Sequence, residues 1–344
     1  MVSFAPVFIV GTGRCGSTLM SNLVSLHPDI LSLSEVFTTF TTRAFVSRQL
    51  DGPAFWNMLK HPSPVLRKSI TPETSPVEFT YKFGPGALFT PSTLPACMMM
   101  TLPHLADDAD HLYAELEPVI RARPKAALAE QYRYWFDWMA KRQGKKLWIE
   151  RTGSSITMVK ALNRLFPDAK FVHIHRDGRE TALSMQAFKP MRVFLHMRRR
   201  LKRFGIDILK TPFRYSDSRV IYALAPFIEQ VTPTEALLER VPSVGDIGRF
   251  WSDMIDIGLR DLSTLPQHRV HTMAYADLVS RPVETLEAFI AFAAPGVPDK
   301  AWIEAASGIP RQKPQAWRSL SKTNLLALER ACAKGQRLLG YSSG

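Results

Sequence analysis

The chain has 344 residues, 46% of them hydrophobic, and 44 Lys and Arg against 31 Asp and Glu give it a net charge of +13. That is enough apolar material for a large core, in one α/β domain with insertions or in two smaller domains. No run approaches the roughly 18 consecutive apolar residues of a membrane span, the first residues lack the basic start and long apolar stretch of a signal peptide, and Cys15, Cys97 and Cys332 make no even disulfide framework, so a reduced, cytoplasmic setting is expected.

In chain order, VFIV at 7–10 is a short apolar run ended by glycine, the pattern of a buried strand. Residues 17–26 repeat Leu19, Met20, Leu23, Val24 and Leu26 near helical spacing. His27-Pro28-Asp29 ends that helix, because the residue before proline avoids helical torsion angles. Between strand and helix lies GTGRCGST, 11–18. Gly11 and Gly16 have the spacing of a phosphate loop and Ser17-Thr18 close it, yet Ser17 stands where the pattern G-x-x-x-x-G-K-[ST] has its lysine. Successive backbone N–H groups at a helix start make an anion site. Without a lysine to reach between β- and γ-phosphates, the loop suits one terminal phosphate better than a triphosphate. Arg14 is its nearest cation.

From 38 to about 105 prolines are frequent and helical pieces short, which predicts a stretch that wraps a binding site rather than a sheet core. A helix is predicted over 126–142, rich in aromatics (Tyr132, Tyr134, Trp135, Phe136, Trp138), then a strand at 147–149, a helix over 155–166 and a strand over 171–175. Strands alternating with helices imply a parallel α/β sheet. Residues 188–205 form a basic amphipathic helix, with Phe194, Met197, Leu201 and Phe204 on one face and Arg192, Arg199, Arg200 and Arg203 on others. No acid lies between Thr181 and Ile206. A strand near 270–273, a helix over 283–293 and a closing helix over 320–339 complete the reading.

A second constellation is FPDAKFVHIHRDGRETALSM, 166–185. Its strand ends at His175, and Arg176 emerges at the carboxyl edge where open parallel sheets bind ligands. Ser184 comes eight residues later, two turns into the next helix, so the pair can share an anion separate from the first.

Together, GTGRCGST and VHIHRDGRETALS resemble the 5′-phosphosulfate loop and the 3′-phosphate motif of sulfotransferases that use PAPS, 3′-phosphoadenosine 5′-phosphosulfate. The match is closest to the tyrosylprotein-type and related bacterial enzymes. RCGSTLMSNLVSLHPDILSLSE and RLFPDAKFVHIHRDGRETALSM follow their pattern, RVHTMAYADLVSRPVETLEAFIAF and the terminal RLLGY echo it, and 38–130 and 186–250 match little. The resemblance implies one sulfotransferase domain over 1–344, a P-loop-type parallel β-sheet flanked by helices. Its nucleotide-binding core would lie at about 5–37, 145–186 and 268–318, with helical insertions at about 38–130 and 186–250 forming the acceptor side.

In such an enzyme the loop holds a 5′-phosphosulfate and needs no Walker lysine. Arg14, Cys15, Gly16, Ser17 and Thr18 become its cradle, and Arg176 and Ser184 the 3′-phosphate ligands. Tyr275 falls where relatives place a tyrosine near the nucleotide, and Lys313, in PRQKPQAWR, falls in a late basic loop closing over it. Glu35, in SLSEVF, takes the position of the catalytic glutamate, where an acceptor hydroxyl must lose its proton. Arg151, in WIERTGSS, replaces a family lysine that stabilises charge on the transferring group; arginine is bulkier and planar, so the exchange is not conservative. Arg14 would share the catalytic work. His61, His104 or His111 is the alternative base, and His173 and His175 are expected to be packed. No metal is required. The acceptor is expected to be a hydroxyl-bearing small molecule, carbohydrate or lipid, with no specific nucleic acid, and the basic helix near 192–203 could touch anionic surfaces. The competing readings are a kinase-like P-loop phosphoryl transferase, which accounts for the first motif alone, and a basic nucleic-acid or membrane-surface binding protein, which accounts for the basic helix alone.

Overall fold

The computed structural model describes residues 4–40, 44–45, 48–62, 64–69, 79–205, 207–209 and 233–341. Parts of both expected insertions, notably 70–78 and 210–232, lie outside the described residues. The chain divides into two compact units, one made of Met1–Ser32, Ala140–Phe188 and Val241–Gly344, the other of Leu33–Met139 and Lys189–Arg240.

The first unit is built on a five-stranded sheet. Its strands are β1 (Val7–Val10), β2 (Ile30–Ser34), β3 (Leu147–Arg151), β4 (Lys170–His175) and β5 (Val270–Ala274), in the order β2-β3-β1-β4-β5. β1 pairs in parallel with β3 (Val7 opposite Ile149) and with β4 (Val7 opposite Lys170), and β4 with β5 (Phe171 opposite Val270). The parallel α/β sheet expected from the alternating pattern is thus present. All four residues of β1 are fully buried, as a central strand covered on both faces requires, and each such side chain contributes about 1.5–3 kcal/mol.

Side chains alternate between the two faces of a strand. Val7, Ile9, Val172 and Ile174 face a core with Met20, Leu23 and Val24 of α1 (Ser17–Ser25) and with Leu286, Phe289 and Ile290 of the helix Pro282–Ala293. On the opposite face, Phe8 packs against Trp148, Phe166 and Phe171 at ring separations of 5.2–6.0 Å. Three further helices complete the frame of the site: α2 (Val159–Leu165), α3 (Gly178–Ala187) and α4 (Val244–Ser263). α4 lies along the last helix, α5 (Lys322–Leu338), where Ser252 Oγ donates to the Ala331 carbonyl at 2.8 Å.

The second unit is helical. Gly52–Lys60, Ala109–Arg121 and Leu128–Arg142 are its main helices before residue 142, and a two-residue antiparallel ladder joins Gln49–Leu50 to Ala126–Ala127. Its core is aromatic: Phe37 stacks on Phe45, and Tyr132 meets Phe37 and Phe55 edge-on. The basic helix runs Lys189–Lys202. The acids that neutralise it come from beyond its own run: buried Arg198 makes a two-pronged pair with Asp207 (2.7 and 2.8 Å), and Lys189 reaches Glu239 at 2.6 Å. Arg199, Arg200, Arg203 and Phe204 remain exposed. Among the described residues no helix is long and apolar enough to cross a membrane.

Candidate active site

The loop 11–16 leads from β1 into α1. Gly16 closes it at φ +99°, where an L side chain is strained, and a Cβ there would stand 2.3 Å from Tyr275 Cδ2. Tyr275 is buried and begins the helix Tyr275–Ser280 after β5. Ser17 is buried and Thr18 half-buried at the start of α1. Cys15 is buried beneath the loop, and burial pushes its thiol up, against the reactive range.

Among the described residues only Arg14, Glu35 and Ser154 have positive φ without being glycine, at +57°, +58° and +61°. Left-handed backbone costs such residues free energy and gathers where the surroundings impose it, often at sites of function. Arg14 and Glu35 were singled out in the sequence. Ser154 was missed; its signal is the turn-prone TGSS after β3. Its hydroxyl donates to the Thr12 carbonyl at 3.1 Å, and the next turn joins the loop through Ile156 N to the Gly11 carbonyl, also 3.1 Å.

The two phosphate motifs meet. Arg14 Nε donates to Ser184 Oγ at 3.1 Å, and the Arg14 guanidinium lies over the Phe188 ring at 5.4 Å. Arg176, at the end of β4, lies over the Tyr275 ring at 4.7 Å and pairs with Glu180 Oε2 at 3.2 Å. Glu180 and Ser184 stand one turn apart on α3 and so share a face. Burial pushes the Glu180 carboxyl up, and the adjacent Arg176 charge opposes that. Tyr275 is therefore the link: its ring touches both Gly16 and Arg176, and its hydroxyl donates to the Arg311 carbonyl at 3.3 Å, tying in the exposed stretch that carries Lys313.

Arg151 ends β3 opposite Ile9 and is buried. Its neighbour Glu150 is fully buried and accepts a short hydrogen bond from the Thr152 hydroxyl. Glu35 belongs to the second unit. It is buried at the junction of β2 and the helix Val36–Phe40, where its Oε2 accepts from Thr38 Oγ1 at 2.7 Å.

His173 and His175 are packed, as expected from their alternation: burial holds His173 at about 3, and His175 Nδ1 shares a hydrogen bond with the Tyr341 hydroxyl at 3.0 Å. His27 serves the end of α1, its Nδ1 accepting from Asp29 N at 3.0 Å. Among the described residues no three His, Cys, Asp or Glu side chains cluster to hold a metal ion.

A sulfotransferase family model matches residues 95–219, which include Arg151, Arg176 and Ser184. No curated protein matches the chain. Among solved structures, the sulfotransferase domain from the curacin biosynthetic pathway is 13% identical, with 99% of each chain covered and a TM-score of 0.47. The sulfotransferase STF9 from Mycobacterium avium is 14% identical over 98% of this chain and 78% of that one, TM-score 0.45. A sulfotransferase from Alicyclobacillus acidocaldarius is 15% identical over 99% and 98%, TM-score 0.38. The matched stretch carries β3, β4 and the Arg176–Ser184 motif, so over residues 95–219 the chain is similar to the sulfotransferase family.

Proposed function

We propose that the protein moves a sulfuryl group from PAPS to a hydroxyl acceptor. The observation that carries this reading is the joined pair of cationic sites, Arg14 bonded to Ser184 and Tyr275 set between Gly16 and Arg176, with no lysine in the loop. A nucleotide with one phosphate group at each end of its ribose fits two such sites, each holding an arginine and a hydroxyl. The donor set suits it: Arg14, Gly16, Ser17, Thr18 and the Cys15 backbone would hold the 5′ end, Arg176 and Ser184 the 3′-phosphate, and Tyr275 and Lys313 the nucleoside side. Charge-assisted hydrogen bonds of this kind are about twice as strong as neutral ones.

When bound, PAPS supplies an activated sulfuryl group on a good leaving group, the 5′-phosphate. Glu35, assigned on the sequence resemblance, would take the proton of the acceptor hydroxyl as its oxygen bonds to sulfur. Arg14 and Arg151 would place positive charge where negative charge grows. The acceptor class we favour is a small molecule, carbohydrate or lipid, and the exposed Arg199, Arg200 and Arg203 would suit an anionic surface.

Ligand-dependent melting tests the reading. A ligand bound only to the folded state stabilises it by about 2.7 kcal/mol at 100 times its Kd. PAP, the product nucleotide, should raise Tm and ATP with Mg²⁺ should not; equal or greater stabilisation by ATP with Mg²⁺ would sink the proposal in favour of phosphoryl transfer.

A further inference from the structure

The corner 176–178, where β4 gives way to α3, sets the direction in which Arg176 leaves the sheet. Its backbone is fastened by the far end of the chain. Gly178 N donates to Gln336 Oε1 at 3.1 Å, and Gln336 Nε2 donates to Asp177 Oδ1 at 3.2 Å. The same Asp177 oxygen accepts from Arg179 N at 2.8 Å and so caps α3. The first two amides of α3 are thus both engaged within the protein, which leaves side chains, Arg176 and Ser184, to hold an anion there.

Gln336 is buried in the last turn of α5, and the residues just beyond that turn make a second contact. Gly340 N bonds to the Arg337 carbonyl, and Tyr341 N to the Gln336 carbonyl at 3.0 Å, with Gly340 at φ +75°. That pair of bonds is a Schellman turn, which reverses the chain at a helix end. It brings Tyr341 back onto β4, where its hydroxyl bonds His175 Nδ1 at 3.0 Å and its ring stands edge-on to the imidazole. Residues 175, 177 and 178, on both sides of Arg176, are therefore held by one helix terminus. Trp251 of α4 closes the frame: a Cβ on Gly178 would lie 2.3 Å from its ring, so the corner sits directly on the indole.

We propose that Gln336 and Tyr341 are positioning residues that set the aim of Arg176 on the 3′-phosphate, and that this is the role of the terminal QRLLGY segment. The proposal rests on the assignment of Arg176 and Ser184 to the 3′-phosphate. Glu180 and Tyr275 hold the guanidinium end of Arg176, and the α5 terminus holds its root. A sub-ångström shift at the root displaces the far end of so long a side chain by more.

The test compares adenosine 3′,5′-bisphosphate with AMP, which lacks only the 3′-phosphate, by calorimetric titration of the full chain. Gln336→Leu should weaken the bisphosphate about tenfold and AMP less than twofold, the loss expected for hydrogen bonds that act on one phosphate alone. Tyr341→Phe keeps the ring and should weaken the bisphosphate roughly threefold, with AMP unchanged; it decides the matter if Gln336→Leu does not fold. Amide exchange in the free variants supplies a reading without nucleotide: Gly178 should lose protection in Gln336→Leu. Equal weakening of both nucleotides, unchanged discrimination, or unchanged Gly178 exchange each overturns the proposal alone. If the wild-type protein holds the bisphosphate no tighter than AMP, the 3′-phosphate reading falls, and this proposal with it.

Discussion

Replacing Gly16 by alanine probes whether the phosphate loop and the Arg176 site are mechanically one. Two separate costs apply. The backbone at φ +99° is unfavourable for alanine by about 1–3 kcal/mol. The new methyl would also stand 2.3 Å from Tyr275 Cδ2, with two more ring atoms at 3.1 and 3.3 Å. Tyr275 cannot swing aside without leaving Arg176 and breaking its bond to the Arg311 carbonyl, so a further 1–3 kcal/mol or so of overpacking is expected. In a Tyr275→Ala background the second cost disappears and the first remains. A double-mutant cycle by urea unfolding should therefore give a favourable coupling of about 1–3 kcal/mol between the two substitutions. Titration with PAP should show Gly16→Ala losing affinity for the nucleotide through both phosphates. Strict additivity, within about 0.5 kcal/mol, would refute the claim that the ring braces the loop.

Glu35→Gln keeps the size of the side chain and removes the base, so turnover of a true acceptor should fall about 10²–10⁴-fold while PAP affinity stays near wild type; retention of most of the sulfation rate would return the search to His61, His104 or His111. A pH series addresses His173. Burial first, and the neighbouring His175 second, hold its imidazole at about 3, whereas the unfolded chain titrates near 6.5. The unfolded state therefore binds the proton first, so stability is full above pH 6.5 and declines as pH falls from there toward 3, by roughly 5 kcal/mol at one pKa unit per 1.4 kcal/mol. His173→Phe should flatten that part of the decline in urea unfolding between pH 7 and 4, and an unchanged slope would remove His173 from the account.

The parts legible in the sequence are those where local pattern and function coincide. β1, the glycine loop and α1 carry their signal within 20 residues, and β4 reads clearly because its apolar run stops at a charged corner. β2 was missed: ILSLS alternates with serine directly after the helix-ending His27-Pro28, and its burial comes from β3, more than 100 residues away. α4 was missed because Gly245, Gly248 and Gly258 dilute its helical signal. Packing overrides propensity there, since a Cβ on Gly248 would lie 2.9 Å from Ala331 of α5. At the site, Tyr275 was named through the family resemblance, and Arg14, Arg176 and Ser184 were singled out as types at spacings. Glu180, Ser154 and Gln336 were not, because what each does depends on a partner that only the fold supplies.

The interleaving of the two units constrains how a ribosome can deliver this protein. β1 is made before its neighbours in the sheet, since it is a central strand flanked by β3 and β4, some 140 and 160 residues later, and β5 begins only at Val270. Non-local parallel pairing of this kind folds slowly. Until β3 and β4, in the second segment of its unit, have left the exit tunnel, VFIV is an unsatisfied, wholly apolar strand, the sort of edge that recruits other chains. The second unit has all its material by residue 240 and can fold first. Slowing synthesis once β3 and β4 have cleared the tunnel should therefore raise the soluble yield, whereas a pause before residue 140 should lower it.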